Sequence, residues 1–219
     1  MKTIDFIRAH NACQSGAEWA LSISADMSAV WDALVEQNRH EWLLWAATRP
    51  GVFPDSVMRK LACRFVRETP IGRETVWDKL TDDRSRKAVY VAEAYADGKA
   101  TADELSDAYA AARDAALAAD ADAHTERAAY FAARAAADAA YSAAYAANAD
   151  ACAAGATDAA RVGCATYAAY DAAASAAAAA AWAVDAAGAA FYNARADAKS
   201  AQVQMIAELG NPFKKGADK

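Results

Sequence analysis

The chain has 219 residues, 56% of them hydrophobic by type, with a net charge of −6 and a pI near 5.1. That length fits one or two domains, and the acidic balance excludes wrapping of nucleic acid, which needs a basic surface. Residues 1–100 carry as many Lys and Arg as Asp and Glu, so the charge imbalance belongs to residues 101–219.

Taken in order, TIDFIRAHNAC opens with a Thr3 cap and reads as a short helix, broken at Ser15-Gly16. Another helix starts around Glu18-Trp19-Ala20-Leu21. Asp26 is placed to cap Met27 to Glu36, where Met27, Val30, Trp31, Leu34 and Val35 recur at helical spacing. HEWLLWAATRPG follows as an apolar helical patch stopped by Pro50-Gly51. Asp55 is expected to cap Ser56 to Arg67, with Val57, Met58, Leu61 and Phe65 on its apolar side. Pro70-Ile71-Gly72 reads as a turn and Thr75 to Leu80 as a short helix. Asp82-Asp83 then leads into Lys87–Ala96, closed by Asp97-Gly98. No strand pattern of any length is evident.

Residues 101–201 differ: about half are alanine, the best helix former because ordering costs it no rotamer freedom. Thr101, with Asp103 and Glu104 behind it, can cap a helix. Thr125 can cap a second, and Gly155 with Thr157-Asp158 marks a stop and a new start. Three helices are predicted, about 102–121, 126–153 and 158–209. The expected fold is all-α. A compact Trp-rich helical lobe spans 1–100, and long alanine-rich antiparallel helices form an arm over 101–209. A flexible tail covers 210–219.

Five tryptophans, Trp19, Trp31, Trp42, Trp45 and Trp77, precede residue 80. Such rings on short helices make a core; an exposed hot spot for a partner is the second reading. On the arm, Tyr167, Asp171, Trp182 and Asp185 share one helical face. The two acids lie roughly 21 Å apart along a helix, too far for joint acid–base work at one bond. They suit two contacts on an elongated basic partner, or else pairing inside the bundle.

Chemistry is thin. His10 and Cys13 are two ligands without a third, and His40-Glu41 lacks the second histidine of HExxH. No glycine-rich phosphate loop or GxSxG occurs. The expectation is a protein that is not an enzyme, with no metal and no cofactor. Four cysteines without CxxC spacing, and no apolar signal segment at MKTIDFIRAHNAC, point to reduced thiols and a cytoplasmic location. Asp185 and the weak apolarity of alanine argue against a membrane span at Ala172–Ala190.

The runs NACQSGAEWAL, MSAVWDAL, EWLLWAATRPGV, CRFVRET and LTDDRSRKAVYVAEAYADGKATADEL, with the closing ELGNPFKK, resemble a family of alanine-rich all-helical proteins of bacteria and phages. Its members are regarded as immunity proteins of polymorphic toxin systems. The motifs cover residues 4–110, and the arm matches by composition. Trp42, Arg49, Asp82 and Arg84 are the positions that match. The resemblance implies a protein that neutralises or sequesters a macromolecular partner, a toxin or a defence component. Two other classes stand beside it: a self-assembling helical protein that dimerises through alanine faces, and a sponge for a small ligand such as a nucleotide signal. Trp42, Trp45, Arg49, Asp82, Arg84, Tyr167, Asp171, Trp182 and Asp185 are the candidates for binding a partner, and a small ligand would use Trp and Arg of the first lobe.

Overall fold

A computed structural model of the chain describes residues 1–121 and 189–214. About 70% of those residues are helical, in eight α-helices, with one two-stranded sheet; the fold is all-α.

Four short helices come first: α1 (Thr3–His10), α2 (Gln14–Ile23), α3 (Met27–Glu36) and α4 (His40–Ala47). Asn11 ends α1 in the left-handed region (φ 51°), where its N–H reaches the Ile7 carbonyl; asparagine tolerates this conformation better than most residues. The chain therefore breaks at residues 11–13 rather than at Ser15-Gly16. Gly16 lies inside the first turn of α2. Asp26 caps α3 as expected, accepting from the Ser28 N–H at 3.1 Å. Met27, Val30, Trp31 and Leu34 are buried along one face of α3. Burying a large apolar side chain contributes about 1.5–3 kcal/mol, so this face alone anchors the helix.

Next is α5 (Asp55–Glu68), with Met58, Leu61, Ala62, Phe65 and Val66 buried and Lys60, Arg64 and Glu68 facing outward. Asp55 does not cap it. The Pro54 carbonyl already accepts from Val57 and Met58, at 3.0 and 3.1 Å. The helix thus starts one residue earlier than a cap at Asp55 allows, and Asp55 pairs with Arg59 within the first turn. The turn after α5 is a minimal hairpin, β1 (Pro70–Ile71) against β2 (Glu74–Thr75). Gly72 takes φ +62° there, as tight hairpin turns require. A single 3₁₀ turn (Trp77–Lys79) follows.

The next helix, α6 (Asp83–Ala96), packs on α7 (Ala102–Ala121). Small residues line the seam: Ser85, Ala88 and Ala92 from α6 and Ala108, Ala112 and Ala115 from α7, with Leu105 at its start. Such faces let helix axes approach toward the short end of the usual ~8–10 Å range. The start of α7 is a reciprocal capping box. The Glu104 N–H donates to Thr101 Oγ1 at 3.2 Å, and the Thr101 N–H donates to Glu104 Oε2 at 2.7 Å.

The last described helix, α8 (Ala189–Ala207), belongs to the third helix read from sequence. It packs on α3, α4, α5 and β1. Ala198, Val203, Met205 and Ile206 enter the same core as α3 and α5. The core therefore crosses the boundary expected at residue 100. Within the stretch read as a tail, Asn211 and Phe213 make side-chain contacts. Asn211 donates to the Ser28 carbonyl and to Asp32, both at 2.8 Å, and Phe213 packs edge-on against Phe6 and Trp31. An aromatic ring with apolar neighbours in reach orders the end of a chain. The second arm helix, and the rest of the third, lie outside the described residues.

Candidate binding hollow

Among the first four helices lies a cavity of about 360 Å³. Phe6 and Ile7 of α1 line it, as do Gly16, Trp19 and Ala20 of α2, Val30 and Leu34 of α3, and Glu41, Trp42 and Trp45 of α4. The walls are mostly apolar, and the size falls within the range of small-ligand sites.

The spacing inside α4 builds one wall. Leu43, Ala46 and Ala47 are buried in the core, which turns Trp42 and Trp45, half-buried, toward α1 and α2. Trp19 lies against Trp42, with ring centroids 5.2 Å apart. Phe6 meets Trp45 edge-on at 5.9 Å. The Arg39 guanidinium sits over both Trp19 and Trp42, at 5.7 and 5.5 Å from their centroids. Arg49 covers Trp45 at 4.9 Å, held there by its Nε donating to the Trp45 carbonyl at 2.9 Å. Among the described residues no carboxylate pairs with Arg39.

Polar atoms are few and placed. A methyl group built on Gly16 meets Cys13 Sγ at 3.2 Å and Trp42 Nε1 at 3.8 Å. The first contact is tight and the second an ordinary van der Waals contact with the indole N–H edge. Among the described residues that N–H has no acceptor. The Ser15 hydroxyl, 3.6 Å from Sγ, holds the exposed Cys13 thiol below its usual range, with help from the Gly16 backbone. Lys199 of α8 pairs with Glu41 and holds its carboxyl below the usual range. His10 is pushed down by partial burial and by Arg49.

Behind α4 runs a buried polar chain. His40 Nε2 donates to Gln202 Oε1 at 2.7 Å, and Gln202 Nε2 donates to Thr69 Oγ1 at 3.3 Å. His40 Nδ1 has no partner among the described residues. Burial outweighs the Gln202 bond and keeps the imidazole pKa below the ordinary histidine value.

Of the residues singled out in sequence, Trp19, Trp42 and Trp45 line the hollow, and Arg49 stacks on Trp45 without lining it. Asp82 and Arg84 do not line it either. Asp82 is the N-cap of α6, accepting from the Arg84 N–H at 2.8 Å and pairing with its guanidinium at 2.7 Å. Tyr167, Asp171, Trp182 and Asp185 lie outside the described residues. Sequence reasoning missed Arg39 and Gly16: their roles depend on α2 meeting α4, which no local spacing encodes. Among the described residues no three His, Cys, Asp or Glu side chains converge as metal ligands, and no helix is long and apolar enough to cross a membrane. Neither protein-family models, nor curated proteins, nor solved structures give a match to this chain.

Proposed function

We propose that the chain is a non-enzymatic binding protein whose first lobe takes a small ligand with an apolar body into the hollow between α1 and α4. The observation that carries this is the cavity itself: ligand-sized, walled by Phe6, Trp19, Trp42 and Trp45, and furnished with a few polar atoms. Its exposed thiol bonds to Ser15 and to backbone, not to an imidazole or carboxylate that would activate it as a nucleophile. Action in the cytoplasm suits a protein that exposes the free thiol of Cys13.

The test uses an uncharged dye, N-phenyl-naphthylamine, whose emission rises in apolar surroundings. Saturable one-to-one enhancement is expected with the full chain. Ala20→Leu, which pushes a larger side chain into the space, should abolish it while leaving the melt cooperative. Enhancement that fails to saturate, or that Ala20→Leu leaves intact, would defeat the proposal.

A second reading keeps the immunity-type role, in which a protein partner is neutralised. The observation favouring it is composition: half-buried tryptophans with arginines stacked on them are the residue types that dominate protein–protein hot spots. In that case the partner inserts an apolar side chain into the same hollow. Capture of the cognate toxin or defence protein by the full chain, lost in Ala20→Leu, would favour it over a free small molecule.

A further inference from the structure

We infer that the ligand of this hollow is an uncharged, hydrocarbon-like molecule with about the bulk of two aromatic rings. This rests on the binding role proposed above and names the ligand class it implies.

Depth sorts the lining residues by polarity. Phe6, Ala20, Met27, Val30, Leu34 and Ala46 are buried and form the floor. Their side chains hold no N–H, no O–H and no oxygen. All six sit within α1 to α4, so their backbone N–H and C=O groups serve the helices and their ends. Higher up, Trp19, Trp42 and Trp45 are half-buried. The polar lining side chains Asn11, Cys13 and Glu41 are all exposed, and these make the rim. A ligand group that reaches the floor therefore leaves water and meets only apolar side chains. That costs an unpaired neutral polar group roughly 2–7 kcal/mol and an ion far more.

The rim supplies no free countercharge. Among the described lining residues the ionisable side chains are Cys13 and Glu41. The Glu41 carboxylate pairs with Lys199, and the Cys13 thiol bonds to Ser15. Arg39 and Arg49 stack on the tryptophans but do not line the space. An anion thus finds no lining cation, and a cation finds a carboxylate that is already matched.

Volume sets the bulk. An apolar cavity of roughly 150 Å³ stays dry and takes one benzene. On that scale the 360 Å³ of this hollow has room for about two rings.

The experiment is a competition on the full chain carrying N-phenyl-naphthylamine. The competitors are naphthalene, benzene, 2-naphthoate and 2-naphthylmethylammonium. Naphthalene is expected to displace the dye. Benzene should do so about tenfold more weakly, because it buries less apolar area. Both ions should be at least about tenfold weaker than naphthalene, because their charge cannot enter the floor. An ion that matches naphthalene would overturn the inference and leave the binding role standing. Benzene matching naphthalene would overturn the assigned bulk. Displacement by none of the four, with the dye bound, would overturn the ligand class. Dye binding that never saturates would overturn the hollow as a site, and this inference with it.

Discussion

Two arginine–tryptophan clusters sit on this fold, and they are finished differently. On the α5–α6 side, Arg67 lies 4.2 Å from the Trp77 centroid and 4.8 Å from that of Tyr90. Glu93 closes the cluster, accepting from both Nε and a terminal nitrogen of Arg67 at 2.5 and 2.7 Å. On the α2–α4 side, Arg39 lies over Trp19 and Trp42 at longer range, and no carboxylate of the described residues answers it. The same residue types therefore do two jobs. A guanidinium that is both stacked and bonded to a carboxylate on two points has spent its donors on the fold. Arg39 is exposed and only stacked, so its donors face solvent.

The largest expected effect tests whether both clusters depend on one core. Deleting residues 189–219 removes Val203, Met205 and Ile206, all buried, together with Phe213. At about 1.5–3 kcal/mol for each buried side chain, the loss reaches the ~5–15 kcal/mol by which domains are stable. A thermal melt followed by circular dichroism should lose its cooperative transition. An unchanged melt would show that the open cluster does not rest on α8.

Next in size is the contrast between the two arginines. Arg67→Ala strands Glu93 at a half-buried site and should cost about 1.5–2 kcal/mol in denaturant unfolding. Arg39→Ala removes stacking alone and should cost about 0.5–1 kcal/mol. Equal losses would remove the distinction between a closed and an open cluster.

The buried chain behind the open cluster makes a pH prediction. His40 has its pKa lowered in the folded state, chiefly by burial. Above the ordinary histidine pKa, both folded and unfolded chains hold it neutral, and it adds no pH dependence. As pH falls through that value the unfolded chain gains a proton and the folded chain does not. Stability then drops by at most about 1.4 kcal/mol per pH unit for one proton, until the folded pKa is reached. Stability measured between pH 7.5 and 5.5 should fall in the wild type and flatten in His40→Leu. His10, also lowered, contributes in the same direction, so an identical slope in His40→Leu would assign the effect there.

Much of the fold was legible because it is local. The Asp26 and Thr101 caps and the 102–121 helix follow from short-range donors, acceptors and alanine propensity, whereas α6 starts at Asp83, before the Lys87 read from sequence. The α3 face followed from helical spacing of large side chains. What stayed hidden was tertiary. The buried stripe of α8 is Ala198, Gln202, Val203, Met205 and Ile206. With alanine on every face and a glutamine in the seam, periodicity marks no inside. Gln202 is buried because His40 and Thr69, more than 130 residues away, complete its bonds. Phe213 looked like a tail residue until Phe6 and Trp31 gave it a place. The hollow was half legible: Trp42 and Trp45 share one helix. Trp19 and Gly16 complete it from α2.

The smallest expected effect is the most selective for the open cluster. Gly16 sits in the first turn of α2 without a positive φ, so alanine there strains no backbone. Alanine is favoured over glycine by up to about 1 kcal/mol inside a helix and by less in a first turn. Against that gain, the new methyl meets Cys13 Sγ at 3.2 Å and Trp42 Nε1 at 3.8 Å. The sulfur is the end of an exposed side chain and can move by the few tenths of an ångström required. The two terms nearly cancel, and Gly16→Ala should change stability by no more than about 0.5 kcal/mol. Its effect should fall on the hollow, where the methyl takes space beside Cys13 and Trp42. Peptide-level mass spectrometry of iodoacetamide labelling reads this at Cys13. N-phenyl-naphthylamine is expected to slow labelling of Cys13 in the wild type and to do so less in Gly16→Ala. A large loss of stability would instead show that Gly16 is there for packing. Unaltered protection would place the ligand away from the α2 start.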